Sequence, residues 1–201
     1  QKNTARQWSN QSTRYNDDMA QAYRLYTLAL AQQPELASMN RLRETNNLSN
    51  EAKWRLAAAY ALVGKKEVAK EIAQKANINF VPNNYNYRTY GSVFRNRAMA
   101  LETLVILGDS QQRDLAASLA KNLSSRRWYS TQETAYALLS MAKMVTKNGG
   151  KSIDLTFNNN GKEITVKTDK AIAQRNITIT SLKDEIMVKN NQGNTIYATL
   201  T

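Results

Sequence analysis

The chain has 201 residues, a hydrophobic fraction of 42%, seven glycines, two prolines and a net charge of +12. That is enough apolar material for one large domain or two small ones, and it excludes wholesale disorder and a fibrous or linker-rich chain. Cysteine and histidine are both absent, which removes disulfides, thiol nucleophiles, imidazole bases and the usual zinc ligand sets.

Residues 1–11 are polar, contain no signal-peptide core and begin without Met. The chain therefore reads as a piece of something longer, with any targeting signal elsewhere. No apolar run approaches the roughly 20 residues that a membrane span needs.

From residue 17 to about 147 the apolar spacing is helical. Residues 17–32 place Met19, Ala22, Tyr23, Tyr26 and Leu30 at spacings of three and four. Pro34 opens a second helix to about residue 44, with Leu36, Met39 and Leu42 inward. Ser49 is a suitable N-cap for a helix over 50–63, which Gly64 closes. Residues 67–76 follow, with Val68, Ile72 and Ala76 on one face. The stretch 77–90 reads as a long Asn- and Tyr-rich loop containing Pro82. Residues 92–107 are apolar on nearly all sides after Ala98, the pattern of a fully buried helix, and Gly108 ends it. Residues 111–123 pair Leu115, Leu119 and Leu123. Residues 130–147 are expected to bury Ala135, Leu138, Leu139, Ala142 and Val145 before Gly149 and Gly150. Short connections make these helices antiparallel hairpins. Their unequal intervals do not fit the fixed period of about 34 residues of a tetratricopeptide solenoid.

Past Gly150 the period changes to two. Ile153, Leu155 and Phe157 alternate with polar residues, as do Ile164 and Val166, Ile177 and Ile179, Ile186 and Val188, and Ile196, Ala198 and Leu200. Asn160-Gly161 lies between the first two runs, a strong signal for a tight hairpin, and Gly193 separates the last two. About five antiparallel strands with one buried face are expected. The fold class is therefore α+β, mainly α, with residues 1–150 helical and 151–201 forming a small antiparallel sheet or sandwich.

The basic residues come as scattered pairs, Arg41/Arg43, Lys65/Lys66, Arg95/Arg97 and Arg126/Arg127. A stripe interleaved with aromatics would mark a nucleic-acid partner, and none is expected here. The segment Trp128, Tyr129, Ser130, Thr131, Gln132, Glu133 is the most informative motif. Ser130 and Glu133 have the spacing of a capping box, with Trp128 and Tyr129 packing over the helix start. Without a histidine, neither Ser130 nor Thr131 has an evident base, so a structural role is expected and no catalytic residue is assigned. Glu102, in the most apolar helix, is expected to bond a neighbouring helix end or an arginine such as Arg97. Asp17 and Asp18 suit a helix start. Tyr85, Tyr87 and Tyr90 are expected to pack the long loop against the helices, with sugar or peptide binding as the other reading. Asn158, Asn159 and Asn160 are turn residues.

The blocks Tyr90-Gly91-Ser92, Arg95-Asn96-Arg97-Ala98, Leu101-Glu102-Thr103-Leu104 and Leu107-Gly108-Asp109 resemble bacterial α2-macroglobulin-like proteins. So does Arg127-Trp128-Tyr129-Ser130-Thr131-Gln132-Glu133-Thr134-Ala135-Tyr136-Ala137-Leu138-Leu139, with Ser-Thr-Gln-Glu-Thr its most specific core. The Ala-rich helix from Leu56 to Gly64 and the closing Ile196-Tyr197-Ala198-Thr199-Leu200-Thr201 also fit. The resemblance implies the C-terminal half of an α/α-toroid, thioester-type domain, followed by part of a CUB-like β domain. For the whole protein it implies protease inhibition by trapping, at the cell envelope, in the periplasm or secreted: a bait region is cut, the molecule changes shape and the attacker is held. Implied partners are target proteases and the other domains of the same chain; no cofactor or metal is implied. Covalently trapping relatives carry a Cys-and-Gln thioester, and this chain has no cysteine. The motif lies elsewhere in the intact protein, or this protein traps without it. Two other classes compete: a helical-repeat scaffold of unrelated origin, and an α/α-toroid enzyme such as a glycoside hydrolase or terpene cyclase. The first wants a constant period, and the second wants convergent carboxylates.

Overall fold

The computed structural model describes residues 1–9, 18–81, 91–148, 152–159, 161–170, 173–181, 184–194, 196 and 198–200. The chain divides into two units, Gln1–Met141 and Ala142–Thr201, where the sequence places the change at residue 150. The expected roles of Asp17, Tyr85, Tyr87, Tyr90 and Asn160 lie outside the described residues.

The first unit is built from α1 (Lys2–Gln7), α2 (Asp18–Leu30), α3 (Leu36–Arg43), α4 (Asn50–Leu62), α5 (Lys66–Gln74), α6 (Val93–Leu107), α7 (Gln112–Leu123) and the start of α8 (Thr131–Asn148). α4 packs between α2 and α6, while α3, α5 and α7 each lie against the helix that precedes them. α2, α4 and α6 thus form one layer, backed by α3, α5 and α7. α4 is buried on every side because its packing face is alanine: Ala52, Ala57, Ala58 and Ala59 are fully inaccessible. α6 is buried continuously from Phe94 to Val105 apart from Arg97, as its apolar sequence requires. Gly64 (φ 80°) and Gly108 (φ 74°) close α4 and α6 in the left-handed region. In both turns the following amide reaches back five residues, Lys65 to the Tyr60 carbonyl and Asp109 to that of Leu104, which satisfies the last carbonyls.

The short α1 is not legible from periodicity. Tertiary bonds hold it: Gln21 Nε2 donates to the Ala5 carbonyl at 3.0 Å, and Arg6 forks onto Glu35 at 2.8 and 2.9 Å. Ala5 and Trp8 are buried beneath it.

Several inward assignments are corrected. Leu30 is 49% exposed and Leu36 43%. The packed face of α2 runs through Ala22, Leu25, Tyr26 and Ala29, and that of α3 through Ser38, Met39 and Leu42, which leaves both leucines outside. In α8, Leu138 and Leu139 are exposed, Ala135 and Ala142 are exposed and Val145 is half-buried, whereas Glu133, Ala137, Ser140 and Met144 are buried. The helix start is oriented by the Glu133 carboxylate, and that bond outranks the apolar count of the opposite stripe. Trp128 was expected over the helix start and is 81% exposed. Tyr129 takes the inward place, its hydroxyl donating to the Asn122 carbonyl at 2.8 Å and its ring 4.7 Å from that of Phe94.

The second unit contains β1 (Ile153–Asn159), β2 (Lys162–Thr168) and β3 (Ile186–Asn190), an antiparallel sheet of order β2-β1-β3. Leu155 faces Val166, and Phe157 lies between Ile164 and Val188. The predicted alternation thus places one apolar face, with Phe157 and Val166 its buried centre. Gly161 (φ 82°) turns the hairpin, its amide donating to Asn158 Oδ1 at 2.7 Å. The expected strands at Ile177–Ile179 and Ile196–Leu200 are absent among the described residues. Both edges of β1 are already taken, and the 177–179 stretch is linked to it through a side chain, Asn159 Nδ2 to the Thr178 carbonyl at 3.2 Å. Alternation alone does not supply a partner edge.

Ser130→Ala is expected to lower stability by about 1 kcal/mol through loss of a helix cap. Trp128→Ala is expected to change it by less than about 0.5 kcal/mol, as for an exposed side chain. Denaturant melts of both variants check the ranking, and a larger loss at Trp128 would contradict the packing described.

Candidate functional site

The helices of the first layer start side by side, and first-turn carboxylates tie each start to the next. Asp18, the first residue of α2, accepts the backbone amide of Ser49 at 2.6 Å and its hydroxyl at 3.1 Å. Ser49 in turn caps α4 by accepting from the Ala52 amide. Glu51, in the first turn of α4, accepts from Asn96 Nδ2 in α6 at 2.8 Å. Ser92 caps α6, accepting from the Arg95 amide, and donates its hydroxyl to Glu133 of α8 at 2.7 Å. Helix N-termini carry partial positive charge, so carboxylates there are stabilising as well as geometrically suited.

Glu133 is the most densely bonded of these groups. Its second oxygen accepts the Ser130 amide at 2.9 Å and the Ser130 hydroxyl at 3.1 Å, while the Glu133 amide donates to Ser130 Oγ at 3.2 Å. This is the reciprocal capping box, extended by a tertiary arm to Ser92. Burial pushes the carboxyl upward, but the bonds from Ser92 and Ser130 and the nearby Arg127 prevail and hold it below its ordinary value of 4.5. Thr131 beside it is exposed, and Gln132 is half-buried with its Oε1 inaccessible and without a partner among the described residues.

One turn or more below this rim lies a second tier. Glu102 of α6 is 2% exposed and accepts from Arg55 Nη1 of α4 at 2.7 Å and from the Tyr26 hydroxyl of α2 at 2.5 Å. Its partner is thus Arg55; Arg97, the expected candidate, donates instead to Ser118 Oγ at 3.0 Å. The Arg55 guanidinium lies 4.2 Å over the Tyr26 ring and 5.3 Å from that of Tyr23. Tyr136 of α8 donates to the Tyr23 hydroxyl at 2.7 Å. Burial, reinforced by the Glu102 carboxylate, pushes Tyr26 well above the ordinary phenol range, and burial with the bond to Tyr23 does the same for Tyr136. Burial lowers Arg95. Both phenols therefore stay protonated and act as hydrogen-bond donors.

Chemically, these groups are committed to one another. The Ser92 and Ser130 hydroxyls are caps, and Glu102 and Glu133 accept from neighbouring side chains, although Arg55 Nε and Nη2 are buried without a partner among the described residues. Among the described residues no group of three or more acidic side chains stands together as a metal site. Sequence reasoning identified Ser49, Ser130 and Glu133 but missed the partnership of Glu133 with Ser92 and the meeting of Arg55 and Tyr26 at Glu102. A weak signal was present: an acidic residue opens α2, α4 and α8 alike.

No protein-family model and no curated protein matches the sequence. Solved structures do match. Native E. coli alpha-2-macroglobulin, seen by cryo-electron microscopy, superposes with a TM-score of 0.58 at 18% identity, over 92% of this chain and 11% of that one.

 The methylamine-reacted Salmonella alpha-2-macroglobulin matches with a TM-score of 0.59 at 20% identity, over 94% of this chain and 12% of that one. The chain has the fold of a segment of bacterial alpha-2-macroglobulins. A third structure, E. coli alpha-2-macroglobulin activated by porcine elastase, matches with a TM-score of 0.55 at 17% identity, over 94% of this chain and 16% of that one. The chain thus spans 11–16% of the length of these alpha-2-macroglobulins.

Two outcomes follow for the networks. Glu102→Gln is expected to cost about 3–5 kcal/mol in denaturant melts, because it strands the Arg55 charge in the interior. Replacing Arg55 and Glu102 together by methionine should recover much of that loss; an equally unstable double variant would refute the assignment. For Glu133→Gln the effect depends on pH. A carboxyl held below 4.5 contributes stability that is fully present above that value and is lost as pH falls through the lower, folded-state value. The stability gap between parent and Glu133→Gln should therefore be constant near neutrality and shrink below about pH 4.5, read from melts across pH.

Proposed function

We propose that the chain is part of a bacterial alpha-2-macroglobulin-like protein, with residues 1–150 belonging to a thioester-type helical toroid and residues 151–201 to the adjoining CUB-like β domain. The observation that carries this reading is the fold match over 92–94% of the chain, which takes in both units. The segment itself serves as a structural and interaction module and not as an enzyme. Its candidate hydroxyls and carboxylates are engaged as caps and interior ties, and the sequence holds no histidine or cysteine to activate a nucleophile.

The intact protein, in this reading, inhibits proteases by trapping them, in the periplasm, at the cell envelope or outside the cell. One of the matching structures is an alpha-2-macroglobulin activated by an elastase, which supports proteases as partners. No helix among the described residues is long and apolar enough to cross a membrane. With no cysteine in these 201 residues, a thioester would have to be supplied by other parts of the protein.

The test uses the full-length gene product. An endopeptidase such as elastase, incubated with it, should lose activity towards a large protein substrate while still cleaving a small peptide substrate. The protease should also co-elute with the inhibitor. Undiminished cleavage of the large substrate would refute trapping. Methylamine incorporation, followed by mass spectrometry, separates a thioester-bearing protein from one that traps without it.

A further inference from the structure

We propose that the corner between α7 and α8 is a docking site for an acidic segment of another protein, with Trp128 as its anchor and Arg126 and Arg127 as its charge partners. Three observations support it. The first is exposure. Trp8 and Trp54 are buried at 6% and 4%, whereas Trp128 is 81% exposed. An indole left in water forgoes the burial of a large apolar surface. Tryptophan and arginine are also the residue types that most often dominate binding energy at protein interfaces.

The second observation is that the corner is held in place. Tyr129, next to the indole, is fixed by its bond to the Asn122 carbonyl and its contact with Phe94. Ser130 is locked to Glu133 in the capping box. The backbone leading away from Trp128 is therefore anchored, and less conformational freedom is lost when a partner covers the ring.

The third observation is charge. Residues 121–130 include Lys121, Arg126 and Arg127 and contain no Asp or Glu. Arg126 is exposed, and the Arg127 side chain is 64% exposed. The carboxylate nearest to Arg127, Glu133 at 4.0 Å, has a side chain only 7% exposed and is already bonded to Ser92 and Ser130. The outward faces of the guanidiniums are thus available to carboxylates of a partner. A lone exposed indole beside two arginines suits a protein segment with an apolar side chain among Asp and Glu. A membrane-surface patch would want a broader apolar face.

The experiment, which rests on the reading of this chain as part of a longer protein, places the full-length gene product on an array of synthetic twelve-residue peptides. Their Asp and Glu content is graded, with and without a central Phe or Leu, and hits are titrated by the fluorescence anisotropy of dye-labelled peptide. Retention should rise with acidic content, require the apolar residue and weaken with salt. Trp128→Ala should weaken it at least tenfold with unchanged melting, and Arg126→Gln with Arg127→Gln should flatten the salt dependence. Retention that ignores acidic content, survives Trp128→Ala or is absent from every peptide overturns the proposal. So does binding confined to phosphatidylglycerol vesicles, which would make the corner a lipid contact. Self-association in sedimentation that Trp128→Ala abolishes would overturn it in favour of a second copy of the chain.

Discussion

A single buried carboxylate, that of Glu102, joins three helices of the first unit. It lies in the most apolar helix of the chain and receives Arg55 from α4 and Tyr26 from α2. Taking a carboxylate and a guanidinium out of water costs several kcal/mol each, so the pair adds little stability beyond what an apolar replacement would supply. Its effect is on which packing is allowed. Sliding α4 by one turn, about 5.4 Å, would leave two interior charges unpaired. The alanine faces of α4 are smooth enough to permit such a slip, because small side chains interlock weakly. The charged tie therefore supplies the register that alanine packing alone leaves loosely specified.

The rim above it meets a different electrostatic problem. Neighbouring helix starts bring partial positive charges together, and that arrangement is unfavourable unless negative charge is placed among them. α2, α4 and α8 each carry an acidic residue in the first turn. α6 has none and carries Arg95 there instead. Its start is served from outside, because Glu133 of α8 accepts the hydroxyl of the α6 cap, Ser92. One side chain thus caps its own helix and compensates its neighbour. That double duty explains why the bonds of Glu133 outweigh its burial and keep it ionised.

The local grammar of the chain was legible, and the tertiary choices were not. Ser49, Gly64 and Gly108 mark helix ends through backbone chemistry that acts within a few residues, and the helices end there. The hairpin glycine Gly161 and the Leu155/Phe157 alternation belong to the same class, although Asn158 and Asn159, read as turn residues, are the last residues of β1. Facing is harder. In α8 the leucine stripe is the stronger apolar signal, but Ala137 and Ser140 are the small residues that permit close approach, and they face inward with Glu133. At 177–179 the alternation is correct for a strand, yet a strand also needs a partner edge to pair with, and no local pattern encodes that pairing. For the site, the cap was visible because its two residues are three apart. Arg55 and Tyr26 were invisible because they meet Glu102 across 47 and 76 residues of sequence.

The segment from Trp128 to Glu133 shows how stability and recognition can share one stretch of chain. Tyr129, Ser130 and Glu133 face the interior and spend their polar groups on α6, α7 and the start of α8. Trp128 makes the opposite choice, although a ring of that size would contribute most if it were buried. Its exposure is not slack in a loose loop, because the residues that follow it are fixed by hydrogen bonds to the Asn122 carbonyl and within the capping box. Those bonds commit the inward direction to Tyr129 and leave the indole the outward one. The same constraint that caps the last helix therefore presents an aromatic surface to solvent, beside two arginines whose nearest carboxylate is already occupied.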